Sequence, residues 1–188
     1  MRKVNNQDAA KAVYSAVVST IDKLAKRERG ELSPYAATTL ARLRQCAGRT
    51  FDECPEIWDT VRSQIKSKLS VFQQQCAENA VFVALALYSI HQRGKDKNVN
   101  IKKVGFGRAV RQVKVPDIQY RFTSFASSDS FSDLIVHARS LIELMRMGDA
   151  RFDYANFAVD LFWFQADPDS RVRIRLGWEN SFLSNSIN

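Results

Sequence analysis

Three cysteines, two histidines and a pair of aspartates seven apart are the places in this chain where bond-making chemistry would start. Cys46, Cys54 and Cys76 form no CxxC, and with only His91 and His137 beside them the spacing argues against a structural zinc site. Both histidines read as hydrogen-bonded structural residues. Asp153 and Asp160 share a helix face at seven-residue spacing. Two carboxylates so placed hold a divalent metal or divide acid and base roles. The better reading is a helix cap for Asp153 and an arginine partner for Asp160. Gly105-Phe106-Gly107 opens like a phosphate loop, but Val110 stands where the third glycine belongs and no strand precedes it. There is no GxSxG and no HExxH. No catalytic residue, metal ligand or cofactor is predicted.

What remains is arginine. Lys and Arg number 28 against 20 acids, a net charge of +8. Nine basic residues fall between Arg93 and Arg121, with only Asp96 and Asp117 among them. Charge of one sign gathered in one stretch is the footprint of a polyanion binder; the alternative is a solvated loop that keeps the protein dissolved. Arg121 poses the sharpest question. On a helix it falls between Ile118 and Phe122 on an apolar face. There a guanidinium needs a partner, either a carboxylate such as Asp160 or a phosphate from outside.

The elements that position these residues read as helices. Apolar residues make up 45% of 188 residues, and 7 Gly and 4 Pro are few for a sheet-rich fold. Ala10, Val13, Val17, Ile21 and Leu24 recur at helical spacing, with Gly30 as a stop. Ser33-Pro34 reads as a cap and first turn, leading to Leu40 and Leu43 and ending at Gly48. A third helix is predicted from Pro55 with Ile57, Val61, Ile65 and Leu69 as its stripe. Ala80–Ile90 is apolar nearly all round and reads as a buried central helix that stops at Gly94. The basic stretch from Arg93 to Gly107 reads as a flexible connection between residues 1–95 and 96–188, two helical bundles in one compact unit. A short helix over Arg108–Val115 follows, then helices carrying Arg121, Leu134–Met145 and Tyr154–Phe164, with Asp117, Ser130 and Asp153 as caps. In the last segment Arg171, Arg173 and Arg175 alternate with Val172, Ile174 and Leu176 as a strand would, yet no second strong strand exists to pair with it. It is read as a helix with Val172, Leu176 and Leu183 together and Trp178 and Phe182 nearby. The fold class expected is all-α, with about eight to nine helices in two packed bundles. No 18-residue apolar run and no signal-peptide core are present, and the unpaired thiols fit a reducing cytoplasm, so a soluble cytoplasmic protein is expected, not a membrane one.

The order of several short pieces resembles the CasB family, the small subunit of the type I-E CRISPR Cascade complex. The pieces are Arg121-Phe122-Thr123, His137-Ala138-Arg139, Asp153-Tyr154, Asp160-Leu161, Trp163, Val172-Arg173, Trp178 and Phe182. Leu43-Arg44, Pro55-Glu56-Ile57-Trp58, Ile90-His91-Gln92 and Gly107-Arg108-Ala109-Val110-Arg111 agree more loosely. The likeness runs from about Ala41 to Phe182. Tyr120 stands where the family pattern has a first arginine, Leu183 where it has an aromatic residue, and the helix before Gly30 matches weakly.

The resemblance implies a helical protein with no enzymatic activity of its own. It implies two copies within a multi-subunit assembly around a guide RNA, lining a basic groove and holding the displaced DNA strand while the R-loop is open. Base pairing reads sequence in such complexes while protein handles backbone and shape. The partners expected are guide RNA, target DNA, the other Cascade subunits and a second copy of the chain. Arg42, Arg44, Lys102, Lys103, Arg108, Arg111, Arg121 and Arg139 are the candidates for phosphate neutralisation. The alternatives are a helix-turn-helix DNA-binding regulator, a helical nuclease using Asp153 and Asp160 with Mg²⁺, and a scaffold whose basic face meets an acidic protein.

Overall fold

The computed structural model describes residues 5–28, 30–65 and 68–184. Met1–Val4, which open the N-terminal stretch read above, lie outside them. Helix α1 (Asn6–Leu24) begins where the Asn5 side chain accepts from the Asp8 amide, and it buries the predicted Val13, Val17, Ile21 and Leu24. It ends before Gly30, which instead turns a two-stranded antiparallel hairpin, β1 (Arg27–Glu28) and β2 (Glu31–Leu32), with φ +88°. Ser33 caps α2 (Pro34–Cys46) as its sequence announces.

The third helix differs from its prediction. Ile57, Val61 and Ile65 are buried as the stripe requires. In place of one helix the segment forms two 3₁₀ turns, Phe51–Glu53 and Pro55–Ile57, and a five-residue α3 (Trp58–Arg62), with Ile65 beyond its end. The helix stops where Arg62 pairs with Glu78 at 3.1 Å and lays its guanidinium over the Trp58 ring. Residues 66–67 of the expected stripe lie outside the described ones.

Helix α4 (Val71–His91) opens on a capping box of Ser70 and Gln73 and is buried from Cys76 to Ser89 save at Asn79. It is the central helix, touching α1, α2 and α3. The connection that follows is not flexible. Gln92 donates to the Lys95 and Lys97 carbonyls and accepts from the Val99 amide, and Asn100 forms a parallel bridge with Phe152. Asn100 also accepts from the Tyr154 amide, and Asn98 accepts from the Tyr88 hydroxyl. Side-chain amides satisfy the backbone that the glycine and lysine count made to look loose.

Helix α5 (Phe106–Arg111) starts two residues before the predicted Arg108 and ends well short of Val115. The glycines around Phe106 serve packing, not phosphate. A Cβ on Gly107 would collide with the Trp178 carbonyl and lie 2.7 Å from the Phe182 amide nitrogen, and one on Gly105 would collide with the Ser181 hydroxyl. Helices α6 (Ile118–Ala126), α7 (Phe131–Met147), α8 (Tyr154–Ala166) and α9 (Ser170–Leu183) complete an all-α fold. Asp117 precedes α6 without capping it through its side chain, because its carboxylate is taken by Arg121.

The last segment is helical as read, but the opposite face is buried. Ile174, Trp178 and Phe182 point inward, while Val172, Leu176 and Leu183 are exposed. Phe182 stacks on Phe122 with centroids 4.2 Å apart, and Phe106 on Phe157 at 4.7 Å. One apolar core runs from α1 to α9, with α8 packed on both α1 and α4. That core fixes the relative positions of α2, α6 and α7, whose outer faces carry the arginines.

Candidate nucleic-acid interface

Arg139 and Arg146 lie seven residues apart on α7, two turns along one face. Across from them stands Arg44 in the last turn of α2, with Arg93 just past the end of α4 and Arg121 on α6. These five guanidiniums line one cleft of about 480 Å³ together with Ile90, Leu144 and, among the described residues, one carboxylate, Glu143, while Asp117 pairs with Arg121 from beside it. Arg44 and Arg146 also sit near helix C-termini, where the macrodipole favours a cation.

The five are not equally committed. Arg139 is held from two sides: its Nε donates to Glu143 Oε1 at 3.2 Å and its Nη1 to the Ala47 carbonyl at 3.2 Å. Arg121 Nε donates to Asp117 Oδ2 at 2.7 Å and its Nη1 reaches the Ser140 hydroxyl at 3.5 Å. Arg44 Nη1 reaches the Ser89 carbonyl at 3.5 Å. Arg93 and Arg146 pair with no carboxylate among the described residues. Partial burial, and next the charge of Arg93, pull the Arg44 pKa below its ordinary value. Like charges are crowded here where water screens them incompletely, so an entering anion relieves the crowding. Arg121 and Ser140 also line an adjoining recess with Asp117, Tyr120, Ser124 and His137. Tyr120 is 75% exposed, an aromatic face at the rim of a cationic cleft.

Of the eight residues singled out from sequence, Arg44, Arg121 and Arg139 meet in this cleft. The others line no part of it. Arg42 is exposed on α2. Lys102 and Lys103 form an exposed turn in which Lys103 takes φ +66° and its amide donates to Asp153 Oδ2. Arg108 is exposed on α5, while Arg111 donates to the Phe182 carbonyl at 3.2 Å and overlies the Phe182 ring. Arg93 and Arg146 are the additions. Arg146 was findable, since it repeats Arg139 at i+7 on a helix already read. Arg93 gave no periodic signal, because it lies beyond the helix end.

The residues weighed for catalysis have structural occupations. Asp153 accepts from the Ala155 and Asn156 amides, the Asn156 side chain and the Lys103 amide. Asp160 accepts from Trp178 Nε1 at 2.8 Å, which corrects both the arginine partner expected for it and the pairing with Arg121. Burial raises the Asp160 pKa to about 7, against the Trp178 hydrogen bond and the Arg173 charge. His91 is fully buried, its Nδ1 lies 3.0 Å from the Tyr154 hydroxyl, and burial followed by the Lys95 charge lowers its pKa to about 4. Arg121 itself is 43% exposed, at the edge of the apolar face of α6 and not within it.

A family model described as CRISPR-associated protein Cse2 matches residues 39–182. The chain belongs to the Cse2 family. Membership supports a subunit of the CRISPR Cascade complex. The fold is similar to the crystal structure of CasB from Thermobifida fusca, with a TM-score of 0.77 and 24% identity over 94% of this chain and 98% of that one. It is also similar to TTHB189, a CRISPR-associated protein of the Cse2 family from Thermus thermophilus, with a TM-score of 0.67 and 19% identity over 89% of this chain and 97% of that one. No curated protein sequence matches. No helix of the described residues is long and apolar enough to cross a membrane.

Proposed function

We propose that this Cascade subunit uses the five-arginine cleft to grip sugar–phosphate backbone. It binds without reading bases, stabilises the R-loop and displaced strand in antiviral defence, and performs no chemistry of its own. One observation supports the reading: Arg44, Arg93, Arg121, Arg139 and Arg146 converge from four separate elements on one cleft, where among the described residues only Glu143 and Asp117 pair with them as carboxylates. An arginine fork fits phosphate in two parallel hydrogen bonds and keeps its charge when half buried. Lys102, Lys103, Arg108 and Arg42 extend the basic surface as exposed cations, and Arg111 steadies the α5–α9 contact. Guide RNA and target DNA are the ligands, the other Cascade subunits and a second copy are the neighbours, and the cytoplasm is the setting.

The test is a salt titration of nucleic-acid binding with wild-type chain and Arg93→Glu/Arg146→Glu. Two lost phosphate contacts should flatten the log–log salt slope by about 1.5. Affinity should be nearly equal across unrelated sequences. An unchanged slope removes the cleft from the binding surface. Discrimination among duplex sequences by a factor of about a thousand would point to a helix-turn-helix regulator instead.

A further inference from the structure

Away from the cleft, the end of α2 and the two 3₁₀ turns bring together two thiols and a carboxylate. The Sγ atoms of Cys46 and Cys54 and a carboxylate oxygen of Glu56 all lie within 4.8 Å of one another. Spacing did not flag them, since eight residues separate the cysteines and no histidine is near in sequence. Cys46 and Cys54 are fully buried, and Glu56 is exposed at the mouth. The backbone around them is well tied. The Cys54 amide donates to the Phe51 carbonyl at 3.1 Å, the Ile57 amide to the Cys54 carbonyl at 3.1 Å, and Trp58 Nε1 to the Phe51 carbonyl at 2.9 Å.

We propose that Cys46, Cys54 and Glu56 bind one zinc-class divalent ion, with water as the fourth ligand on the side that Glu56 leaves open. The size fits. Zinc–sulfur bonds of about 2.3 Å and zinc–oxygen bonds of about 2.0 Å at tetrahedral angles set the ligand atoms roughly 3.5 to 3.8 Å apart. Cys46 Sγ now donates to Glu56 Oε1 at 3.2 Å, so a cation replaces that proton with side-chain shifts below about 1 Å. The charge fits too. Two thiolates and a carboxylate around a divalent ion leave one negative charge, and Arg49 lies 3.8 Å from Glu56 Oε1 to balance it. Both thiol protons pass to solvent on binding. Two sulfurs select zinc or cadmium over magnesium or calcium. The ion would close the turn that carries Ala47, whose carbonyl holds Arg139.

The experiment is titration of the reduced, EDTA-dialysed chain with Cd²⁺ and Zn²⁺. Cd²⁺ should produce a sulfur-to-metal absorption band saturating at one ion per chain, and Zn²⁺ should displace it and raise Tm. Cys46→Ser and Cys54→Ser should each abolish the band, and Cys76→Ser, a buried thiol on α4 outside the cluster, should leave it intact. Glu56→Ala changes an exposed residue and so tests the site without threatening the fold; it should weaken Zn²⁺ binding at least tenfold. No band and no Tm shift with the reduced wild-type chain would overturn the proposal. So would a band that survives Cys54→Ser, or a Cys46–Cys54 disulfide as the sole chemistry of the pair.

Discussion

Helix α9 and the cleft hold arginines at comparable density and use them in opposite ways. On α9, Arg171 donates to the Phe164 carbonyl at 2.9 Å and stacks over the Phe164 ring. Arg175 donates to the Ser128 carbonyl and pairs with Asp129 at 3.2 Å. Arg173 reaches the Ser170 hydroxyl at 3.3 Å. Arg171 and Arg175 tie α9 to the end of α8 and to the turn before α7. In the cleft, among the described residues, Arg93 and Arg146 pair with no carboxylate, and Arg44 makes a long bond to the Ser89 carbonyl. The same side chain is a clamp where carbonyl groups and ring faces surround it and, on the function proposed, an anion receptor where other cations do.

That contrast makes its largest prediction for paired substitutions. Arg93→Glu/Arg146→Glu should weaken nucleic-acid binding roughly a hundredfold at 0.1 M salt, about 2.7 kcal/mol, with Tm nearly unchanged. Arg171→Ala/Arg175→Ala should do the reverse, lowering stability by about 1–3 kcal/mol while the folded fraction binds as before. Gel shifts and thermal melts on both variants separate the two roles. An α9 variant that loses affinity at full stability would erase the distinction.

Asp160 sharpens the comparison through pH. Its folded pKa of about 7 stands above its ordinary 3.8, so the native chain holds a proton that the unfolded chain releases. Stability from this group is therefore complete below about pH 4 and is lost as pH rises through 7. His91 runs the other way. With a folded pKa of about 4 against an ordinary 6.5, it destabilises the fold as pH falls through that interval. The two largely offset one another, giving the wild type a shallow pH profile between about 4 and 6.5. Asp160→Asn keeps an acceptor for Trp178 and removes one slope. It should raise stability by about 2.5 kcal/mol more at pH 8 than at pH 5, with binding unaffected. An equal gain at both pH values would mean that Asp160 is already ionised in the folded chain.

Several helices were legible because they carry their own punctuation. Ser33-Pro34, Ser130 with Asp133 and Asp153 cap helices as their types dictate, while the Ser70–Gln73 box that opens α4 was not read. The order of motifs from Ala41 to Phe182 revealed the family. Three things were hidden for a common reason, namely that tertiary contacts decide them. Gly105 and Gly107 look like mobility but permit α5 to approach α9. The lysine-rich connection looks loose but is bound through Gln92 and Asn100. The buried face of α9 is misread from sequence because Val172, Leu176 and Leu183 are as apolar as Ile174, Trp178 and Phe182. The cleft was half visible: α7 offers Arg139 and Arg146 by period, but nothing local says that the ends of α2 and α4 arrive opposite them.

Tyr120 tests the rim of the cleft. Where the family resemblance expects a charge, this chain offers an exposed ring beside Arg121. A base stacked on an aromatic face is worth about 1–3 kcal/mol and is indifferent to sequence. Tyr120→Ala should therefore lower single-strand affinity about tenfold without changing its salt slope. Tyr120→Arg should restore affinity by adding a phosphate contact, and its slope should steepen by about 0.7. If Tyr120→Ala binds as tightly as wild type, the rim takes no part and the cleft grips backbone alone.

The smallest effect is expected at Gly48, and it isolates Arg139. Gly48 has φ +92°, and a Cβ placed there would lie 2.8 Å from Arg139 Nη1. Gly48→Ala should cost about 1 kcal/mol of stability from backbone strain. It should also push the guanidinium off the Ala47 carbonyl, the bond that fixes its place in the cleft. Affinity should fall about threefold, because a preorganised fork becomes a mobile one. Stability and binding respond through different atoms here, the backbone at position 48 and the Arg139 side chain. Lost stability with unchanged affinity would show that Arg139 contributes as a clamp between α7 and α2, and would move it from the cleft's arginines to the company of those on α9.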